Sequence, residues 1–377
     1  LVTQSDGGRQ EAELTILSGA QGGPLKFSTL IVSDFFKRTS AETSPTVATY
    51  TLDSGTFTRL EGEDLAYNGQ NNPVSGTATK LQYTSGGTLT FSLAGMAVSA
   101  ATLFTLAKSG DTEGFLGLVL AGDDTVLGTA FADQLQGLGG SDLIRGRAGK
   151  DTLDGGAGND TLDGGAGADR LVGGSGLDIA SYKNAESGLT VSLSSLSQRT
   201  GEAKGDSFSS IEGLTGSDFA DRLTGNAGNN VLNGGSGSDA LFALSGKDTV
   251  SGGGGSDTIT GGALSDRLSG GAGADFFVYE KISDSGSGSS TRDVISDFTP
   301  GTDVIDLSAI DANADVAGSA FSFIGGAAFS GPGQVRAVQT GPHTLLEMNT
   351  SGTSGASMSI LLENVLAGSI TSQDFIL

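Results

Sequence analysis

From residue 124 onward an aspartate recurs at every ninth position: Asp124, Asp133, Asp142, Asp151, Asp160, Asp169 and Asp178. Two places after each stands an apolar residue, in turn Val126, Leu135, Ile144, Leu153, Leu162, Leu171 and Ala180. Two places before each stands a glycine, except that Phe131 takes that place ahead of Asp133. A second register opens at Glu212 and runs through Asp221, Asn230, Asp239, Asp248, Asp257, Asp266 and Asp275. Its apolar partners are Leu214, Leu223, Leu232, Leu241, Val250, Ile259, Leu268 and Phe277. One apolar position in nine fits neither the period of a helix nor the alternation of a long strand. It fits a very short strand whose middle side chain points inward. The glycine-rich stretch between strands, GGAGND at 155–160 for example, is then a loop with positive φ angles and unobstructed carbonyls. Loop, strand, loop, strand closes one coil in 18 residues, so aspartates at i and i+18 stack on one rim and those at i+9 on the other. Asp142 is expected above Asp160, and Asp151 above Asp169. The fold class that follows is all-β, built of short strands stacked coil upon coil.

The remaining chain is patterned differently. Residues 1–118 read as a β-rich N-terminal domain: TVATYTL alternates, and TKLQYTSGGTLTFSL sets Leu81 and Tyr83 against Leu89, Phe91 and Leu93 across a Ser-Gly-Gly turn. SAATLFTLAKS reads as a short helix. The first array occupies 119–181 and the second 207–278. Between them 182–206 is an insertion in which Leu189, Val191 and Leu193 alternate as a strand. Residues 279–377 lose the nine-residue period and become a β-rich cap of short patterns such as DVISDF, DVIDLS and MSILLENV.

Charge gives this architecture a chemistry. The formal net charge is -23, and 32 acids against 13 bases fall in residues 119–377. A nucleic-acid partner is excluded, because phosphates need a basic face. Such a surface attracts cations. Stacked rim carboxylates repel, and one apolar residue per strand does not offset the backbone entropy of 63 glycines. A hard divalent cation held by carboxylates and carbonyls resolves both problems, and calcium accepts such oxygens at flexible angles where magnesium demands tight octahedral geometry. The expected cofactor is therefore Ca2+, several ions per chain. The candidate metal-binding residues are Asp142, Asp151, Asp160, Asp169 and Asp178 in the first array and Asp239, Asp248, Asp257, Asp266 and Asp275 in the second. With them go the loop glycines Gly155, Gly158, Gly164, Gly167, Gly173, Gly176, Gly252 and Gly255, and the flanking Asp124, Asp133 and Asp221.

These nonads resemble the GGxGxDxUx calcium-binding repeats of the RTX (repeats-in-toxin) proteins over about residues 119–277, and that resemblance implies a parallel β-roll, a calcium-bound solenoid. The match loosens where Thr129, Leu138 and Arg147 replace the second glycine, where Asn230 replaces an aspartate, at Leu264, and at the pair Ala243–Leu244. DFFVYEKISDSGSGSSTRDVISDFTPGTDVIDLSAIDAN (275–313), FSFIGGAAFSGPGQVR and the terminal DFIL are similar to the C-terminal module of the serralysin proteases. The resemblance implies a bacterial protein exported by a type I (ABC transporter) apparatus, with Asp374, Phe375, Ile376 and Leu377 as the terminal signal. LAYNGQNNPVSGTATKLQY is similar to segments preceding RTX arrays in secreted proteins. No cysteine cross-links the chain before export. Calcium, scarce inside and millimolar outside, would then bind only the folded state and stabilise it by mass action.

The same family tempts one toward a protease, but its zinc site needs the histidines of an HExxH helix, and His343 is the only histidine here. That count also disfavours a Ser-His-Asp triad. Gly149-Lys150-Asp151 and Gly246-Lys247-Asp248 lack the hydroxyl residue that a phosphate loop places after its lysine. The expectation is thus a non-enzymatic extracellular protein, at the cell surface or in a matrix, acting as an adhesin or an assembling layer subunit. Its partners would be cell-surface polysaccharide or further copies of itself. The alternative is the C-terminal part of a secreted hydrolase, polysaccharide-modifying enzyme or toxin whose catalytic part lies upstream of Leu1 or in residues 1–118.

Overall fold

The computed structural model describes residues 122–128, 130–195, 199–313, 316, 318–352 and 355–377, together with the backbone of six strands within 12–99. The expected helix at SAATLFTLAKS lies outside the described residues, apart from its first serine. Among the described residues the regular structure is strand, helix being limited to the 3-10 turns Gly201–Ala203, Ala367–Ser369 and Ser372–Asp374. Two compact units emerge: residues 1–180 with 205–211, and residues 181–204 with 212–377.

In the first unit Ser40–Thr43, Val47–Asp53, Thr56–Tyr67, Pro73–Ser85 and Thr88–Ser99 form an antiparallel meander. The hairpin read from the sequence is present, with Leu81 opposite Leu93 and Tyr83 opposite Phe91. Ala12–Thr15 lies between this meander and the roll, antiparallel to Thr88–Ser99 and parallel to Asp124–Leu127. The N-terminal strands and the roll therefore share one continuous sheet.

The roll itself has two parallel sheets. One stacks Asp124–Leu127, Leu143–Arg145, Thr161–Asp163 and Ile179–Ser181. The other stacks Gln134–Gly139, Thr152–Ala157, Arg170–Ser175 and Ser207–Ser209. Register follows the nonads: Leu135, Leu153 and Leu171 align in one sheet, Val126, Ile144 and Leu162 in the other, and all six are buried. Phe208 continues the row from Leu171. Ser207–Ser209 thus belongs to the first unit although 181–204 intervenes.

The second unit repeats the plan. One sheet runs Thr190–Ser192, Arg222–Thr224, Ala240–Phe242, Thr258–Thr260, Phe276–Val278, Val304–Asp306 and Phe375–Ile376. The other runs Gly213–Thr215, Val231–Ser236, Thr249–Gly254, Arg267–Ala272, Asp293–Ile295 and Met358–Leu362. Residues 182–206, expected as an interruption, supply the opening strand of this roll. Its parallel stacking continues beyond residue 278 to the terminal DFIL, where Phe375 pairs with Ile305. Loops of unequal length hide that continuation from any fixed period. An antiparallel hairpin, Gln334–Thr340 with His343–Asn349, packs its second strand against Met358–Leu362. His343 opens that strand, and its Nδ1 accepts the Asn364 N–H at 3.0 Å.

Candidate metal centre

Each rim is a ladder of aspartates. The backbone N–H of Asp124 donates to Oδ1 of Asp142, Asp142 to Asp160, and Asp160 to Asp178, each at 2.8 Å. On the opposite rim Asp133 donates to Asp151 at 2.7 Å, and Asp151 to Asp169 and Asp169 to Asp206 at 2.8 Å. In the second unit one rim runs Asp221, Asp239, Asp257, Asp275, Asp303. The other runs Asn230, Asp248, Asp266, Asp293. All thirteen candidate aspartates are ladder members. Sequence spacing missed Asp206, Asp293 and Asp303, which follow their predecessors by 37, 27 and 28 residues instead of 18. Each nonetheless keeps the local signature, an apolar residue two places on: Phe208, Ile295 and Ile305.

The second carboxylate oxygen is what makes the rim reactive. Oδ2 of Asp142, Asp151, Asp160, Asp169, Asp239, Asp248, Asp257, Asp266 and Asp275 is buried and accepts no hydrogen bond. An unsatisfied buried charge is expensive unless something compensates it. Around several of these oxygens the backbone offers more oxygen. A Cβ on Gly155 would collide with Asp160 Oδ2 while lying 2.6 Å from the Gly173 carbonyl, so both oxygens face the space that the missing side chain leaves. The same juxtaposition recurs at Gly146 with Asp151 and the Gly164 carbonyl, and at Gly252 with Asp257 and the Gly270 carbonyl. Gly164 faces Asp169 Oδ2, and Gly173 faces Asp178 Oδ2 beside the Ser210 carbonyl. The other candidate glycines, Gly158, Gly167, Gly176 and Gly255, lie against carbonyls of Gly140, Gly149, Gly158 and Gly237 in the preceding coil, closer than any side chain permits. They set the stacking distance and face no carboxylate across the cradle, apart from Gly167, which also nears Asp169 Oδ1.

Without a cation, burial drives these acids upward against the pull of their backbone hydrogen bonds. Asp142, Asp169, Asp239 and Asp266 reach about 7, and Asp151, Asp160 and Asp248 about 6. Neighbouring carboxylates add repulsion at Asp142, where Asp160 and Asp123 contribute, and at Asp239, where Asp257 and Asp221 do. Among the described residues no three carboxylate or imidazole side chains converge on one point. Each cradle therefore offers carboxylate oxygen plus backbone carbonyls, with no nitrogen or sulfur. That oxygen-only set fits a hard cation of calcium's size and flexibility and does not fit zinc.

Substituted loops keep this shape. Leu138, Arg147 and Leu244, standing where the second glycine belongs, hold φ at 73°, 77° and 82°, and Leu264 holds 86° in the third-glycine place. A left-handed non-glycine costs roughly 1–2 kcal/mol, and Leu264, 58% exposed, recovers little by burial. Leu264→Gly is accordingly expected to raise stability by about 0.5–1 kcal/mol after glycine's own entropic cost, read as a higher urea midpoint of the calcium-loaded protein.

A parallel roll with aspartate ladders on both rims defines the class of RTX repeat proteins, and comparison with known families agrees. The RTX calcium-binding nonapeptide repeat matches residues 120–153 and 145–180, and the peptidase M10 serralysin C-terminal family matches 204–377. The chain belongs to the RTX proteins: it is a secreted calcium-binding chain with a serralysin C-terminal module. Among solved structures it is similar to the R3 subunit of the AlgE6 mannuronan C5-epimerase of Azotobacter vinelandii, at 30% identity over 42% of this chain and 78% of that one, TM-score 0.25. The R2 subunit of the same enzyme is 24% identical over 45% and 94%, TM-score 0.25. The extracellular lipase LipA of Serratia marcescens is 19% identical over 68% and 40%, TM-score 0.31. No curated protein sequence matches the chain.

Proposed function

We propose that the open rim carboxylates are the calcium ligands and that the chain is a non-enzymatic extracellular assembly component whose rolls set on meeting calcium after type I export. The observation that supports this most is the row of buried Oδ2 atoms with no hydrogen-bond partner, with a backbone carbonyl beside those of Asp142, Asp151, Asp160, Asp239 and Asp257. The residues that would hold the ions are Asp142, Asp151, Asp160, Asp169, Asp239, Asp248, Asp257, Asp266 and Asp275, with Asp124, Asp133 and Asp178 at matching positions. Bound calcium supplies the positive charge that lets stacked carboxylates stay ionised. The protein's part is to fix carbonyls and carboxylates at one spacing, so that filling one cradle orders the next.

Asp160 lies between Asp142 and Asp178 on its rim. Asp160→Ala is expected to lower calcium uptake by more than one ion's share and to flatten its cooperativity in equilibrium dialysis. An unchanged isotherm would contradict the stacking. The assembly role is tested by light scattering of the full chain with and without calcium: calcium-dependent higher-order species support it, and a strict monomer in both conditions counts against it. In that case the alternative reading, an N-terminal part with its own activity, is tested by assaying the full chain on polysaccharide, lipid and peptide substrates.

A further inference from the structure

Two rungs at the opening of the second roll are wired differently from those that follow along 239–275; Asp303, at the far end of the same rim, shares their pattern, its Oδ2 accepting the Thr299 N–H at 2.7 Å. Four residues before Asp142, Asp151, Asp160, Asp169, Asp239, Asp248, Asp257, Asp266 and Asp275 the backbone is left-handed, with φ between 73° and 106°. In all nine cases Oδ2 of the aspartate accepts no hydrogen bond. Four residues before Asp221 and Asn230 stand Ser217 and Asn226, and neither is left-handed. There the peptide N–H turns inward. Ser217 donates its N–H at 2.5 Å and its hydroxyl at 3.0 Å to Asp221 Oδ2. Asn226 donates its N–H at 2.8 Å to Asn230 Oδ1, and Asn230 Nδ2 donates to the Glu212 carbonyl at 3.1 Å.

The side chains explain the difference. Ser217 Oγ accepts the Phe219 N–H and Asn226 Oδ1 accepts the Gly228 N–H, so each residue makes a two-residue local turn that holds its loop out of the left-handed form. Leucine and arginine at the same place have no such local partner and take the left-handed backbone imposed by the stacked loops. Asp221 is satisfied on both oxygens, since the Leu189 N–H donates to Oδ1 at 2.8 Å. A donor aimed at the cradle oxygen also repels a cation there.

We infer that Ser217 and Asn226 make Asp221 and Asn230 cation-free rungs, so that the opening coil of the second roll closes with the protein's own hydrogen bonds and stands ready before calcium arrives. This rests on the calcium reading above and removes Asp221 from the ion-binding set. It gives the roll a preformed end from which ordering propagates along 239–275 as ions bind, which avoids a costly start at an arbitrary coil.

The test is calcium stoichiometry of the full chain by equilibrium dialysis, with amide exchange as an independent arm. Ser217→Gly, which frees the loop to turn left-handed and removes the hydroxyl, is expected to bind one more calcium per chain than the parent. Asn226→Gly combined with Asn230→Asp is expected to add one as well. A parent that binds calcium while both variants match its number would overturn the inference and leave the calcium reading standing. A parent that binds none would sink the calcium reading itself. In the chelated parent, amides of Ser217 and Asn226 are expected to exchange at least tenfold more slowly than those of Gly235 and Gly253. Equal rates would overturn the inference even if a variant fails to fold.

Discussion

Gly158→Val is expected to unfold the first roll, at a cost above about 3 kcal/mol, because the position refuses a side chain twice over. Its φ of 131° lies in a region that β-branched residues do not enter, and a Cβ there would drive into the Gly140 carbonyl of the preceding coil. Relaxing that collision means separating two coils whose rims are tied by the Asp142 N–H to Asp160 hydrogen bond. Gly254→Ala provides the control. That glycine has ordinary φ and nothing within 4 Å of the added methyl, so its effect is expected to stay within about 0.5 kcal/mol. Urea unfolding of both variants in saturating calcium checks the pair. Similar midpoints would mean that the coils stack more loosely than described.

The second large effect is an inverted response to acid. In the calcium-free fold, burial first and neighbouring carboxylates second hold Asp142, Asp169, Asp239 and Asp266 near 7, against 3.8 ordinarily. Between those values the folded chain binds more protons than the unfolded one, so folded-state stability falls as pH rises through that window and stays low above it. The chelated protein should therefore gain stability on going from pH 8 to pH 5, protons standing in for calcium along the rims. With calcium present the sign reverses. The ligands must be deprotonated, so affinity drops below about pH 7 and binding releases protons. Thermal melts in chelator at pH 5, 6, 7 and 8, with calorimetric titration in buffers of different ionisation enthalpy, check both halves. A chelated protein that weakens on acidification over this range would show that the carboxylates are not buried and uncompensated.

How much of this was legible in the sequence depends on how local its cause is. The stacking of Asp142 on Asp160 and of Leu153 on Leu171 was readable because an unbroken step of nine leaves the coil one arrangement. The pairing of Tyr83 with Phe91 was readable from alternation around a glycine turn. Asp206, Asp293 and Asp303 escaped because residues between consecutive rungs can loop out without disturbing the ladder, and a fixed period cannot follow them. The roles of Ser217 and Asn226 escaped for a subtler reason. Glycine loss alone does not change a loop, since Leu138 and Leu244 keep the left-handed form. What changes it is a replacement that can hydrogen-bond its own backbone, and that distinction appears only once the rim partners are known.

Hydrogen exchange at pH 8, with and without calcium, tests the central claim most directly. Peptides covering 134–175 and 239–275 are expected to be strongly protected with calcium and to exchange nearly as fast as an unfolded chain under chelation, returning to protection when the ion is restored. Equal protection of those peptides in both conditions would mean that the coils cohere without cations, and the reading of the rim carboxylates would be wrong.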